Sequence, residues 1–396
     1  MNLHWIPLLI ALIIHLAIDI VVYRKLKHKK GLPRWVAPVY AVLSALLYVP
    51  LAFAIAFVRH PSDSLFRLSM YLFLVFYGIQ GPKMVAFLIY SITYLRCVSA
   101  QAKRMARSIA GIAFVALVAM VAYAAFVTPY TIEVKHITIS SPHLPAAFDG
   151  YRIVQFSDAH VGTYGTDTTF VSEYVDSINA QHPDLICFTG DMVNRHAAEA
   201  ASFVKPFSRL HAPDGMVAIQ GNHDYKEYYP WACAQQWQSD SLRLISLQRS
   251  MGFTVCHDSA FAIRRQSDSI VVVGLRNFLP PHWKIPQNLR RVYPQIQNPH
   301  IYKILLQHVP YVWDNYTDSA HVDLTLSGHT HAMQAAITLF GHTISPARFI
   351  HSYWGGYYRK GDESLYVNTG IGEVGMLMRI GVKPEITVIT LKKSNH

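Results

Sequence analysis

Four long apolar stretches fill the first third of the chain, near residues 4–23, 35–58, 68–95 and 109–128. Each is long enough to cross a hydrocarbon layer of about 30 Å, which takes about 20 helical residues. The third carries Gly78, Gly81, Pro82 and Lys83 near its middle. Its halves are each too short to span, so the pattern predicts one kinked or tilted helix. After residue 128 the pattern changes. "YTIEVKHITIS" (130–140) alternates like a half-buried strand. Short apolar runs follow, each ending in a polar cluster. "RIVQF" precedes Ser157-Asp158-Ala159-His160, "LICFT" precedes Gly190-Asp191, and "MVAIQ" precedes Gly221-Asn222-His223-Asp224. "YKILLQ" precedes His308 and "DLTLS" precedes Gly328-His329-Thr330-His331. "SIVVVG" and "ESLYVN" are runs of the same kind, and "PEITVITLK" reads as a strand that closes a sheet. Amphipathic helices are expected over about 168–180 and over "SDSLRLISLQRSMGF", ending at Gly252. Strands alternating with helices predict an α/β domain over 129–396. It follows an N-terminal transmembrane helical bundle, a membrane domain over 1–128 with four predicted transmembrane helices.

Charge sharpens this division. The 396 residues carry a formal net charge of +11. Residues 1–128 hold 13 of the 35 Lys and Arg but only two acids, Asp19 and Asp63, whereas the rest of the chain balances at 22 and 22. A nucleic-acid binder carries its basic excess on the folded domain, so no nucleic acid is expected as a partner. The excess is concentrated in "YRKLKHKKGLPR" and "RCVSAQAKRMAR", beside the apolar stretches. The positive-inside rule places these loops in the cytoplasm. The first stretch lacks a basic n-region and is therefore not a cleaved signal peptide. These readings predict a multi-pass protein of the cell (inner) membrane with an extracytoplasmic C-terminal domain; a different span count would reverse that orientation. His15 and Asp19 stand at i and i+4 and share a helix face. With Lys83 as partner they are expected to hold the bundle together, a proton path being the alternative. Cys233 and Cys256 can pair only in an oxidising compartment.

His329 and His331 bring in the chemistry. On a helix, i and i+2 side chains point about 200° apart, but in a glycine loop at a strand end both rings can reach one site. All the polar clusters fall at the carboxyl ends of predicted strands, where open α/β sheets bind ligands. Together they offer Asp158, His160, Asp191, Asn222, His308, His329 and His331. Mixed nitrogen and oxygen donors without a thiolate suit Mn, Fe or Zn better than Mg or Ca. The set is large enough for two divalent metal ions that clamp a phosphoryl group. Singly, His308 is an unremarkable strand-end histidine, Gly221-Asn222-His223-Asp224 a turn, and Asp158 an N-cap. Jointly they point to a dinuclear site.

In order, Asp158-Ala159-His160, Gly190-Asp191-Met192-Val193-Asn194, Gly221-Asn222-His223-Asp224, His308 and Gly328-His329-Thr330-His331 resemble the motifs of the calcineurin-like metallophosphoesterase superfamily. The likeness covers about 150–392 and is greatest to the bacterial branch whose domain is tied to a membrane. It implies a four-layer α/β/β/α sandwich and metal-dependent hydrolysis of a phosphoester by a hydroxide activated between two metals. It implies Asp158, His160, Asp191 and His331 at the first metal, and Asp191, Asn222, His308 and His329 at the second. His223 would face the phosphate as an acid or transition-state stabiliser. Two departures stand out: Ala332-Met333-Gln334 where the branch usually has Gly-Gly-Gln, and Leu275-Arg276-Asn277 where it often has acids. The ligands survive, and the resemblance by itself implies no particular substrate.

Asn194 is read either as a turn residue or as a group near the phosphate, and Arg276 as a surface cation, with a phosphate contact as the alternative. His321, His342 and His351 are expected on the surface, and "HSYWGGYYRKG" (351–361) as a loop or hairpin rather than a flap over the site. The expected substrate is a lipid-linked phosphoester at the outer face of the membrane, with membrane lipids as partners. The last apolar stretch ends near Val127 and the first strand begins near Tyr130, a linker that reaches at most roughly 10 Å. The alternatives are a phospholigand-binding sensor or transporter with a non-catalytic domain, and a nuclease or nucleotide phosphodiesterase of the same superfamily.

Overall fold

The computed structural model describes residues 5–276, 285–317, 320–340 and 342–394. The chain forms two units, Met1–Val127 with Gly375–Met378, and Thr128–Val374 with Arg379–His396.

The first unit is built from α1 (Trp5–His28), α2 (Val36–Phe57), α3 (Asp63–Ser91) and α4 (Ala100–Phe126). Among the described residues three helical segments are long and apolar enough to cross a membrane: Val36–Phe57, Asp63–Tyr94 and Ala100–Tyr130. The expected span at 4–23 falls on α1 and begins outside the described residues. The third stretch is a single helix through Pro82, as expected. Gly78 lets it approach α4, since a Cβ there would stand 3.1 Å from Val121. A buried charge also ties the helices. Asp19 of α1 accepts hydrogen bonds from Tyr40 (2.6 Å), Ser44 (2.9 Å) and Tyr48 (2.8 Å) of α2. It accepts another from Gln80 (3.3 Å) and pairs with Lys83 (2.5 Å), both on α3. A carboxylate is costly in an apolar layer unless paired, and five donors from two helices satisfy this one. Leu377, from the short excursion Gly375–Met378, is buried in the same unit with Met70, Leu74 and Ala125.

The second unit contains fourteen strands among the described residues. They are β1 (Glu133–Ser141), β2 (Arg152–Phe156), β3 (Leu185–Phe188), β4 (Met216–Ala218), β5 (Thr254–Val255), β6 (Ser259–Arg265) and β7 (Asp268–Gly274), then β8 (Tyr302–Leu306), β9 (Leu324–Ser327), β10 (Ile337–Leu339), β11 (His342–Ile344), β12 (Gly356–Lys360), β13 (Glu363–Val367) and β14 (Glu385–Lys393). One sheet has the order β1-β14-β2-β3-β4-β5 and the other β12-β13-β9-β8-β7-β6, with β10-β11 a separate hairpin. Strands β2 to β5 are parallel, and so are β7, β8, β9 and β13.

Period-2 alternation places the core. On β3, Leu185 and Cys187 face the other sheet, while Ile186 and Phe188 face the helices. On β7 and β8, Ile270, Val272, Ile304 and Leu306 point into the same inter-sheet core, and Val271, Val273 and Leu305 point outward. Helices α5 (Thr169–Asn179), α6 (Val204–Phe207) and α7 (Ala234–Ser250) cover the first sheet through Val171, Tyr174, Phe207 and Leu244. The second sheet is covered by α8 (Ile285–Val292) and by the turns around Trp313 and Tyr316. The result is the four-layer α/β/β/α sandwich.

Three details differ from the sequence reading. Helix α7 begins at Ala234 rather than at Ser239, because its first turn, "AQQWQ", is polar and shows no apolar stripe. Strands β5, β6, β10 and β11 were not anticipated; β6 is an outer strand with one buried position, Ile263. Strand β1 begins at Glu133 rather than near Tyr130, and β14 pairs with it on one side and with β2 on the other. The 351–361 stretch supplies β12, the first strand of the β12–β13 hairpin. All four cysteines are free, with Cys187 and Cys256 buried and Cys97 and Cys233 exposed.

Candidate metal centre

The polar clusters do fall at the carboxyl ends of β2, β3, β4, β8 and β9. The backbone there is unusual. Asp158 (φ 52°), His160 (41°), Asp191 (60°), His329 (74°) and His331 (49°) all adopt the left-handed region. Non-glycine residues lose about 1–2 kcal/mol there, and such strain persists where the surroundings fix it. Ala332 and Met333 continue the run at 49° and 50°, in the place where glycines would sit without strain. The neighbouring glycines serve close approach. A Cβ on Gly221 would lie 2.1 Å from Asp191 Oδ1, and one on Gly328 would lie 2.3 Å from Asp158 Oδ2.

Two groups of donor atoms result. In the first, His331 Nε2 lies 3.1 Å from Asp158 Oδ1 and 3.1 Å from His160 Nε2. In the second, His308 Nε2 lies 3.1 Å from Asp191 Oδ2 and 3.2 Å from Asn222 Oδ1, which is itself 2.7 Å from His329 Nδ1. Asp191 Oδ2 is also 3.7 Å from His160 Nε2, so this carboxylate stands between the groups. All seven residues are buried or nearly so. Two ring nitrogens facing one another beside a carboxylate make a poor set for hydrogen bonding alone. It fits a cation, since ligand bonds of about 2.0–2.2 Å bring neighbouring donor atoms to about 3 Å apart.

A second set of residues aims the donors. His308 donates Nδ1–H to the Thr189 carbonyl (2.7 Å), which leaves Nε2 for an ion. Asn222 donates its amide to Tyr228 Oη (2.9 Å), turning Oδ1 toward the histidines. The Tyr228 ring stacks on His223 with centroids 3.6 Å apart. His223 donates Nδ1–H to the Asn194 carbonyl (2.8 Å) and meets the His160 ring edge-on at 4.7 Å. Asp224 gathers four backbone N–H groups, from Asp191, Met192, Val193 and Gly221, at 2.9–3.2 Å. That ties the β3 and β4 loops into one frame.

The electrostatics match. Burial pushes His329 down to about 3, helped by the neighbouring His308. Burial, with His223 and His331 nearby, likewise holds His160 well below the usual range. Burial works against protonation of His308 too, but Asp191 beside it raises this ring to about 9. Burial opposes ionisation of Asp191, yet the histidines around it hold its carboxyl well below the usual range. A proton held between a carboxylate and an imidazole is one that a divalent ion replaces.

The residues that sequence reasoning left open fall into place. Asn194 orients His223 through its carbonyl, while its amide binds Thr163 Oγ1 at 3.1 Å. Arg276 is paired with Asp258 at 2.7 Å; Asn277 and the side chain of His342 lie outside the described residues. His351 is not a plain surface residue. Half-buried, it stacks on Tyr311 and stands 6.2 Å from the His329 ring. Tyr228 and the loop 368–372 escaped notice. Gly370 and Gly372 of that loop pass so close to Asp158 and Ala159 that a Cβ on either would clash. The signal was present in "NTGIG" directly after a strand.

A family model described as calcineurin-like phosphoesterase matches residues 151–333. The uncharacterized metallophosphoesterase YkuE of Bacillus subtilis is 35% identical over 273 residues, which is 68% of this chain and 89% of that protein. This chain belongs to the calcineurin-like phosphoesterase family. It is a metallophosphoesterase, and family members use two divalent metals. The UDP-2,3-diacylglucosamine pyrophosphatase LpxG of Chlamydia trachomatis is 27% identical over 62% of this chain and 84% of its own length. A transmembrane protein with a metallophosphoesterase domain from Danio rerio is 28% identical over 66% of this chain; the match spans 58% of that protein. With the apolar helices of the first unit, these relatives mark this metallophosphoesterase as membrane-associated.

Proposed function

We propose that this metallophosphoesterase hydrolyses a lipid-linked phosphoester at the outer face of the cell membrane. Asp158, His160, Asp191 and His331 hold one divalent ion, and Asp191, Asn222, His308 and His329 hold the other; Mn, Fe or Zn suits these donors. When bound, the pair supplies an activated water and neutralises charge on the phosphoryl oxygens. His223 serves the leaving oxygen. Its Nδ1 is fixed on the Asn194 carbonyl, so Nε2 is the atom that donates. Burial lowers its pKa, and the charge of an arriving phosphate favours the protonated ring again.

The observation that carries the lipid reading is an exposed apolar hairpin just beyond the metal-ligand loop. Three residues after Gln334 the chain enters β10, and the hairpin with its flank shows Phe340 at 99%, Phe349 at 84%, Ile350 at 68% and Leu339 at 57% exposure. Isolated exposed apolar residues are commonplace, but a cluster of this kind marks a surface for lipid or protein. LpxG, whose name describes a diacylated substrate, supports the lipid. The balanced charge of residues 129–396 gives no strong pull on a soluble polyanion.

The test compares kcat/KM for a long-chain phosphoester and its short-chain analogue, with matched headgroups, in detergent micelles. A preference for the long chain that is lost in Phe340→Ser/Leu339→Ser is expected. Equal turnover of the two substrates by the native protein overturns the lipid reading. The orientation is checked separately by a reporter fused after residue 396; activity of the reporter only in the cytoplasm overturns the extracytoplasmic placement.

A further inference from the structure

A second cluster of ligand-type side chains lies at the other end of the sandwich. The dinuclear centre occupies the carboxyl ends of β8 and β9, whereas Asp323 immediately precedes β9. His321 lies two residues earlier, and His143 follows the end of β1 in the other sheet. His143 Nδ1 stands 3.2 Å from Asp323 Oδ1 and 3.2 Å from His321 Nε2, and His321 Nε2 stands 3.7 Å from Asp323 Oδ1. We infer that His143, His321 and Asp323 form a third divalent metal site, of the zinc class, that clasps the two sheets together.

The geometry is that of one face of a tetrahedron. Zinc bonds of about 2.0–2.1 Å to imidazole and carboxylate set donor atoms about 3.3–3.4 Å apart in tetrahedral geometry, and the three edges bracket that spacing. The carboxylate is aimed in the way metal ligands are. Asp323 Oδ2 accepts the Lys303 backbone N–H at 2.7 Å, which leaves Oδ1 to face the two rings. The Asp323 side chain is fully buried, whereas each histidine side chain is 26% exposed. An ion therefore has a route in, and a water can complete its coordination. The Lys303 ammonium is near but committed elsewhere, to the carbonyls of Asn298 and Ile301 at 2.6 Å each. Two imidazoles and one carboxylate suit Zn, Co or Ni and are a poor set for Mg or Ca. Because His143 belongs to the segment after β1 and Asp323 to the start of β9, the ion would join parts of the chain 180 residues apart.

The experiment is metal stoichiometry on the full chain in detergent, stripped with chelator and dialysed against Zn²⁺. Three zinc ions per chain are expected for the native protein. Two are expected for His143→Ala and for His321→Ala, each turning over bis-p-nitrophenyl phosphate within twofold of the native rate. One ion is expected to remain in Asp191→Asn/Asn222→Ala/His331→Ala, which strips the catalytic centre. That last arm separates failure of the third site from failure of the dinuclear assignment. Co²⁺ gives a second readout: an intense tetrahedral band in the stripped-centre variant that disappears when His321→Ala is added. A native protein that saturates at two ions, or both single variants retaining three, overturns the inference. So does a stripped-centre variant that holds no ion and shows no cobalt band.

Discussion

Tyr228 contacts two groups of the centre at once, and its removal can be worked out stepwise. Its hydroxyl accepts the Asn222 amide N–H at 2.9 Å, and its ring lies 3.6 Å from the His223 ring. Tyr228→Phe removes only the hydroxyl. Asn222 then loses the bond that aims Oδ1 at His308 and His329. A hydrogen bond of this kind contributes about 0.5–1.5 kcal/mol, which at 1.36 kcal/mol per decade is about 2- to 10-fold. That loss should appear in metal affinity, with kcat at saturating Mn²⁺ nearly unchanged. Tyr228→Ala also removes the stack, worth about 0.5–1.5 kcal/mol more, and frees the His223 ring to tilt. The combined loss of about 1–3 kcal/mol corresponds to about 5- to 150-fold in kcat/KM, the extra part now in kcat. The assay is a Mn²⁺ titration of phosphoesterase activity for both variants, with metal content measured alongside. Identical metal titrations for Tyr228→Phe and the native protein, together with Tyr228→Ala no slower than Tyr228→Phe, would refute the reasoning.

Three further outcomes are expected. His223→Ala should keep both metals while kcat falls about 10²–10³-fold; loss of metal on elemental analysis would show that the ring is a ligand or a support instead. Asp191→Asn should lose metal and nearly all activity, because the carboxylate stands between the two groups, and chelation of the native protein should do the same; a stripped sample with full activity contradicts this. Asp19→Asn should lower stability by about 3–5 kcal/mol, the cost of leaving a buried charge unpaired, since Lys83 is left without its carboxylate. Melting in detergent reads this, with partial recovery in Asp19→Asn/Lys83→Met, and an unchanged melt sinks it.

Much of this was legible in the sequence because the information is local. A parallel strand buried on both faces is a continuous apolar run, so "RIVQF" marks β2 to the residue and "YKILLQ" marks β8 to within one. The candidate ligands follow those runs directly at strand ends, and the fold brings the seven donor side chains close to one another. The Asp19–Lys83 pair was legible too, since a charge inside an apolar stretch needs a partner. What escaped depends on contacts between distant segments. Tyr228 sits in a polar loop where one more tyrosine carries no pattern. His351 looks like any exposed histidine until the fold brings it beside Tyr311 and His329. Residues His321 and His143 are far apart in the chain, and only the packing of the two sheets against each other, with Ile139 and Leu324 in one core, makes them neighbours. The left-handed backbone at Ala332 and Met333 was foreshadowed by the missing glycines, though a sequence does not give φ.

The position of β14 bears on how the domain comes into being. Nine residues of β14 pair with β1 and four with β2. Strand β1 directly follows the membrane helices and is among the first parts of the domain to leave a ribosome. Yet among the described residues its one strand partner is β14, the last strand in chain order. Until β14 arrives, β1 has no ladder and β2 shows an open edge, the condition in which strands pair with the wrong chain. Assembly of the first sheet is thus a late event dominated by distant contacts, which folds slowly. A premature stop between Ala332 and Pro384 would leave all seven candidate metal ligands in the chain and still forfeit β14, which joins β1 to β2 in the sheet that positions Asp158 and Asp191. Such a chain should be recovered as aggregate or degradation product rather than as a weak enzyme.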